Sequence, residues 1–306
     1  MNILAPAINL ESGKAVIDAG AKEIYISGDE GLFTNFSFSG RGKVSSNNKN
    51  NCCTYDELRE LVSYAHENNA KVNYLGNVPF FYNRQAKDGK DTEKYFLNYV
   101  EKGIDAGIDS IVIGDIGLLH VLYKKNYHVD IHSSVYFNTI NIEQIKFFKE
   151  LNVSRVTLSY HIKMDEIIKI LQVTDMQIEV IGHLGCSFFN GACNFLHDLG
   201  ECSSDSFNIG ITCKGVYSAN LNGNKITTRI FDKEKICSLC KIHELSKLGV
   251  QALKIVGRDR DYKTNLEIIK IYSDYLKKEE DKEALIERLP KWWIRKFCQS
   301  NRCKFL

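Results

Sequence analysis

The stretch His-Leu-Gly-Cys-Ser-Phe-Phe-Asn-Gly-Ala-Cys, residues 183–193, follows an apolar run and sets two cysteines seven positions apart beside a histidine. Cys186, Cys193, Cys202, Cys213, Cys237 and Cys240 place six of ten cysteines within 55 residues. Free cysteine packs well as a small hydrophobe, but core packing alone does not concentrate cysteines in one loop region. Thiolates at this density point to a soft metal. Cys237, Cys240 and His243 suit tetrahedral zinc, while four thiolates at long, uneven spacings suit an iron-sulfur cluster, whose corners can be reached from separate loops. Residue types and spacing leave zinc and iron-sulfur evenly matched.

Further candidates lie at strand ends. Arg41 and Arg258 are the cations expected to bind a carboxylate-bearing small molecule, because a guanidinium grips a carboxylate through two parallel hydrogen bonds. Lys254 falls on the same face of its strand as Arg258. A lysine inside a barrel needs an anion, either a ligand or an internal partner such as Asp115. Asp115 also reads as a helix N-cap. His132, His161 and His183 sit at or just beyond strand ends, where imidazole can move protons near neutral pH. His183, three residues before Cys186, is the one expected to contact a metal-bound thiolate. His183, Asp115 and Lys254 are therefore the catalytic candidates.

Short β-rich runs at 3–5, 23–27, 71–76, 110–114, 128–133, 155–160, 178–183 and 252–257 alternate with helical patterns. Thr54 and Glu57 form the capping box expected to start one of these helices. Strand-helix alternation repeated eight times predicts an α/β fold, a TIM-barrel-like (β/α)8, with an open doubly wound sheet as the alternative. Residues 34–53 form a long loop after the second strand. A cysteine-rich insertion spans about 184–232 after the seventh, with Asn222-Gly223 as a hairpin turn between strand-like runs. Both follow strands, which puts them on the face where barrel enzymes carry their chemistry. Residues 1–275 read as the barrel-like domain and 276–306 as a basic, aromatic C-terminal tail. Trp292 and Trp293 suit docking on the barrel or on a partner, and the cations of the tail suit RNA.

Lysine and arginine total 40 against 38 acidic residues, a formal charge of +2. That balance neither requires nor excludes nucleic acid. No stretch approaches the roughly 20 apolar residues of a membrane span, and the first residues lack a secretory pattern. A cytoplasmic protein is expected, in which ten cysteines serve metal or redox chemistry better than disulfides. The zinc-protease helix is absent, since neither His-Glu-Asn-Asn-Ala nor His-Glu-Leu-Ser-Lys places a second histidine four residues on. There is no Gly-x-Ser-x-Gly elbow either.

In order along the chain, LAPA, GAKEIYISG, the loop with Arg41, VNYLGN, GIDSIVIGDIGLL, IHSSVYFN, VSRVTLS, HLGCSFFNGAC, TCKG and LGVQALKIVGR resemble the landmarks of the collagenase-like peptidase family U-32. The resemblance covers about residues 3–275. It implies a 4Fe-4S cluster held by Cys186, Cys193, Cys213 and Cys237, with Cys240, Cys52 or Cys53 as alternates. It also implies oxygen-independent hydroxylation of an aromatic or heteroaromatic ring, as in the ubiquinone-pathway and RNA hydroxylation members, rather than peptidase activity. Prephenate as oxygen donor and a second, related chain as heterodimeric partner follow from the same likeness. Departures from the family pattern are Tyr160-His161 in place of Arg-Glu and Val256 in place of a carboxylate. A zinc-stabilised subunit without catalysis and an RNA-modifying protein are the alternatives.

Overall fold

The computed structural model describes residues 1–28, 53–77, 89–183, 216–229, 235–257, 262–278 and 281–305. Eight parallel strands close into a barrel, as expected: β1 (Asn2–Pro6), β2 (Glu23–Ile26), β3 (Lys71–Gly76), β4 (Ser110–Ile113), β5 (Asp130–Ser133), β6 (Arg155–Thr157), β7 (Gln177–His183) and, after the hairpin β8 (Val216–Leu221) and β9 (Asn224–Arg229), β10 (Ala252–Ile255). Each strand pairs with its sequence neighbour, and β10 pairs with both β7 and β1 to complete the ring. Helices α1 (Leu10–Asp18), α2 (Tyr55–Glu67), α3 (Gly89–Asp105), α4 (Ile116–Lys125), α5 (Ile142–Glu150), α6 (Met164–Val173), α7 (Ile242–Lys247) and α8 (Tyr262–Lys277) alternate with them.

Local chemistry sets the helix starts. Thr54 accepts from Glu57 N at 3.3 Å while the Glu57 carboxylate accepts from Thr54 N at 2.8 Å, so the expected capping box is present. Each partner satisfies a backbone donor that the first turn leaves open. Asn222 (φ 50°) and Gly223 (φ 82°) form the two-residue turn between β8 and β9. Left-handed backbone at both central positions is what that turn type requires.

Five strands are shorter than their apolar runs suggest, β2 and β4 by a single residue each. The run at 155–160 pairs as a strand only to Thr157, because Leu158 bridges Thr139 and Ile162 N bonds back to Ser159 O, turning the chain. β5 begins at Asp130 rather than 128, and β10 stops at Ile255 rather than 257.

Two cores result. Outward-facing strand residues and the helices make one large apolar layer, with Val72, Ile111, Val156 and Ile178 packed against residues such as Leu58, Leu118 and Ile269. Inside the ring a small separate cluster, Leu4, Tyr25, Leu75, Val112 and Ala252, occupies part of the interior. The rest of the interior is polar. The C-terminal segment is built into the outer layer: α9 (Lys282–Arg288) leads to a turn at Lys291–Trp293 and a π-helix at Ile294–Cys298, with Trp293 and Phe297 fully buried. Docking on the barrel is therefore the arrangement observed for the tail.

Candidate functional site at the barrel mouth

The polar interior forms a closed floor. Arg155 makes a bidentate ion pair with Glu23, Nη1 to Oε2 at 2.5 Å and Nη2 to Oε1 at 3.1 Å. Asn2 and Asn73 donate to the same carboxylate. Burial alone would raise the pKa of Glu23, but its bonds with Arg155, Asn2 and Asn73 hold it below the ordinary value. Lys254 donates to Glu179 at 3.0 Å and lies 4.5 Å from the centre of the Tyr25 ring. The anion that Lys254 meets is thus Glu179, 75 residues away in sequence, and not the expected Asp115. Asp115 instead accepts from Leu118 N at 2.9 Å and caps α4, and burial raises its pKa. His132 packs into the floor beside Ser110, and burial, with the charges of Arg155, Lys254 and Lys71, holds it well below the ordinary histidine value.

Above the floor, at the C-terminal ends of the strands, the β7 side of the mouth carries sulfur. His183 ends β7, and its backbone forms an antiparallel bridge with Cys237. The insertion that starts after His183 therefore returns beside its own beginning, and in sequence Cys186 follows that beginning by only three residues. Tyr272, on α8, ties the two together: its hydroxyl lies 3.1 Å from His183 Nδ1, 3.1 Å from Gly182 O and 3.9 Å from Cys237 Sγ, and accepts from Ser238 N. Tyr272, Trp293 and Phe297 enclose the His183 ring at centroid distances of 5.4, 5.2 and 5.0 Å.

The end of the chain completes this wall. Ile236 N and Cys237 N donate to Arg302 O, and Lys304 N donates to Cys237 O at 2.7 Å, so Cys303 stands directly opposite Cys237 in a parallel bridge. Lys304 Nζ donates to Ile181 O and lies 4.1 Å from the centre of the Tyr160 ring. Burial and Lys304 together lower the pKa of His161. Cys237 is 5% exposed, and burial, reinforced by Cys240 and Cys303, pushes its thiol up to about 12. A thiol so placed ionises only where a cation offsets its charge. Cys53 belongs to the same large apolar layer as Cys237 and bridges Gly28.

His183 and Cys237 are thus joined through a backbone bridge and through Tyr272. Arg41, Arg258, Cys52, Cys186, Cys193, Cys202 and Cys213 lie outside the described residues. Among the described residues no three His, Cys, Asp or Glu side chains gather around a common metal position. The donor set fits a cluster in kind: one described ligand candidate is buried at the mouth, and the other three belong to the segment that starts and ends at its bridge. Tyr272, Lys304 and Cys303 were not legible as site residues, because a tyrosine inside a helical repeat and a lysine in a basic tail carry no local sign of a barrel contact. No helix among the described residues is long and apolar enough to cross a membrane.

Comparison with known proteins gives the family. Residues 8–302 match the family described as Peptidase family U32. The chain is 24% identical over 287 residues to tRNA hydroxylation protein P of Helicobacter pylori, covering 89% of this chain and 63% of that protein. It is 26% identical over 193 residues to the protein of the same name from Haemophilus influenzae, covering 62% and 37%. With 23S rRNA 5-hydroxycytidine C2501 synthase of Escherichia coli it shares 23% identity, covering 85% and 37%. The chain thus spans less than two thirds of the length of each. The solved structure of the U32 peptidase Mk0906 superposes with a TM-score of 0.51 at 12% identity, covering 84% of this chain and 93% of that one, a likeness of fold. With a barrel of that fold and a family match along nearly its whole length, the chain belongs to peptidase family U32.

Proposed function

We propose that this chain takes part in oxygen-independent hydroxylation of a pyrimidine base in RNA, with a 4Fe-4S cluster held by Cys186, Cys193, Cys213 and Cys237. The relatives named for tRNA and rRNA hydroxylation support the substrate class. The observation that carries the site is Cys237, buried at the mouth and fixed to His183 on one side and to the chain terminus on the other. When bound, the cluster would supply one-electron chemistry. The surrounding residues hold its setting. Tyr272 lies within sulfur hydrogen-bond range of Cys237, and Trp293 and Phe297 keep water from this wall. Hydrogen bonding to the sulfurs and solvent exclusion are the means by which a protein sets a cluster's potential. Prephenate as oxygen donor and a second, related chain as partner belong to the same reading.

Three measurements test it. Anaerobically purified chain should contain iron and acid-labile sulfide and absorb in the visible, whereas zinc in their place would be colourless and would end the cluster assignment. Cys237→Ser should lose most of the iron, and Cys240→Ser should retain it. Nucleoside analysis of cellular RNA should show a hydroxylated pyrimidine that disappears when the gene is deleted. Unchanged RNA would refute the substrate class.

A further inference from the structure

Cys237 is not alone on its wall. Cys240 follows it by three residues in the short 3-10 helix Leu239–Lys241, and the C-terminal segment brings Cys298 and Cys303 alongside. Within this group the backbone itself sets one pair. Cys237 N donates to Arg302 O and Lys304 N donates to Cys237 O, which makes Cys303 the register partner of Cys237 in a parallel bridge. Neighbouring chains in such a ladder lie about 4.8 Å apart, inside the roughly 4.4–6.8 Å between Cα atoms that a disulfide spans. Beyond burial, the charge of Cys303 is among the causes that raise the Cys237 thiol, so the sulfurs are neighbours as well as the backbones. No bridge among the described residues gives Cys240 or Cys298 a cysteine partner.

No three of the described thiols converge on a metal position, so a bond between two of them is the chemistry that this arrangement offers. Both partners are free thiols, and they differ in access: Cys303 is half-buried, whereas Cys237 is 5% exposed. We propose that Cys237 and Cys303 form a reversible disulfide when no metal holds Cys237, with a low-molecular-weight disulfide of the glutathione class as oxidant. The Cys303 thiolate, reached first, attacks one sulfur of the oxidant, and a small thiolate leaves. Cys237 then attacks the Cys303 sulfur of the mixed disulfide, and the second small thiolate leaves and takes up the Cys237 proton. Two protein thiols are oxidised and one small disulfide is reduced to two thiols. Burial disfavours the Cys237 thiolate, which makes closure the slower step, and adjacency in register makes that step intramolecular. The bridge is a single residue pair, so the adjustment that joins the sulfurs disturbs no longer ladder. Once oxidised, Cys237 is withheld from iron. That consequence rests on the cluster reading above, and the disulfide itself does not.

The test maps the bond directly. The full chain, freed of metal by anaerobic chelation, is incubated with oxidised glutathione, its remaining thiols are alkylated, and it is digested without reductant for mass spectrometry. A cross-linked peptide pair carrying Cys237 and Cys303 is expected, lighter by two hydrogens than the separate peptides, and reductant should restore both thiols. Cys237→Ser should stop at the mixed disulfide and carry glutathione on Cys303. Wild type that yields both thiols alkylated, or either one joined to another cysteine, would overturn the pairing, and that result needs no variant to fold. Iron uptake by the reduced chain separates this bond from the cluster. A mapped disulfide in a chain whose reduced form takes up no iron leaves the pair standing and ends the cluster reading; a reduced chain that takes up iron, with both thiols still free after oxidation, does the reverse.

Discussion

The floor of the barrel and its mouth are built from similar polar residues put to opposite uses. In the floor, Glu23, Arg155, Glu179 and Lys254 are almost wholly buried, and each charge meets an opposite charge. At the mouth, Asn77 keeps a buried oxygen without a partner among the described residues, and Cys237 is a buried thiol pushed up to about 12. A completed network holds a structure in one state; an incomplete one leaves buried polar atoms at a cost. The difference separates stability from function along the strand axis, as barrel enzymes do generally.

Arg155→Met tests the floor most severely. It would leave Glu23 buried with its main counter-charge gone, and breaking a buried pair from one side costs about 3–5 kcal/mol. Chemical denaturation should show that loss, and the double variant Arg155→Met with Glu23→Leu should recover much of it. If the single variant is as stable as wild type, the floor is not the structural element described.

His132 predicts an acid limit within the same floor. Its pKa in the folded protein is lowered, so below the unfolded value of about 6.5 the unfolded chain takes up a proton that the folded one refuses. The stabilising effect is complete above about pH 6.5 and declines as pH falls, by up to about 1.4 kcal/mol per unit. Wild type and His132→Gln should therefore differ in the slope of stability against pH between about 5 and 6.5, the variant being flatter. Parallel slopes would place the acid sensitivity elsewhere.

Tyr272→Phe examines the join between the two regions. The hydroxyl lies within hydrogen-bond distance of Gly182 O and Ser238 N, so its removal should cost about 1–2 kcal/mol, visible in thermal denaturation. At a temperature where the variant remains folded, faster loss of iron in air would show that the contact with Cys237 also matters.

The barrel was legible because alternating apolar strands and amphipathic helices repeat eight times, and the Thr54–Glu57 box and the Asn222-Gly223 turn carry their own local chemistry. What escaped was long-range. Glu23, Arg155 and Glu179 stand on β2, β6 and β7, and nothing in EIYI, RVT or QIEVIGH says that the charges meet. Lys254 was placed correctly inside, but its partner is 75 residues distant in sequence. The bridge of Cys237 with Cys303 joins segments 66 residues apart and depends on the tail docking first.

The smallest effect carries the sharpest sign. Asn77→Leu replaces an amide of similar shape by an apolar side chain and so removes the buried oxygen that lacks a protein partner. Removing an unsatisfied buried group gains part of its desolvation cost, and slight overpacking against Gly114 takes some of it back. The net change expected is between zero and about 1 kcal/mol of added stability, read by chemical denaturation. A floor substitution should do the reverse and lower stability. If Asn77→Leu were destabilised by as much as Arg155→Met, the asparagine would be a structural member of the barrel, and the division between floor and mouth would not describe this molecule.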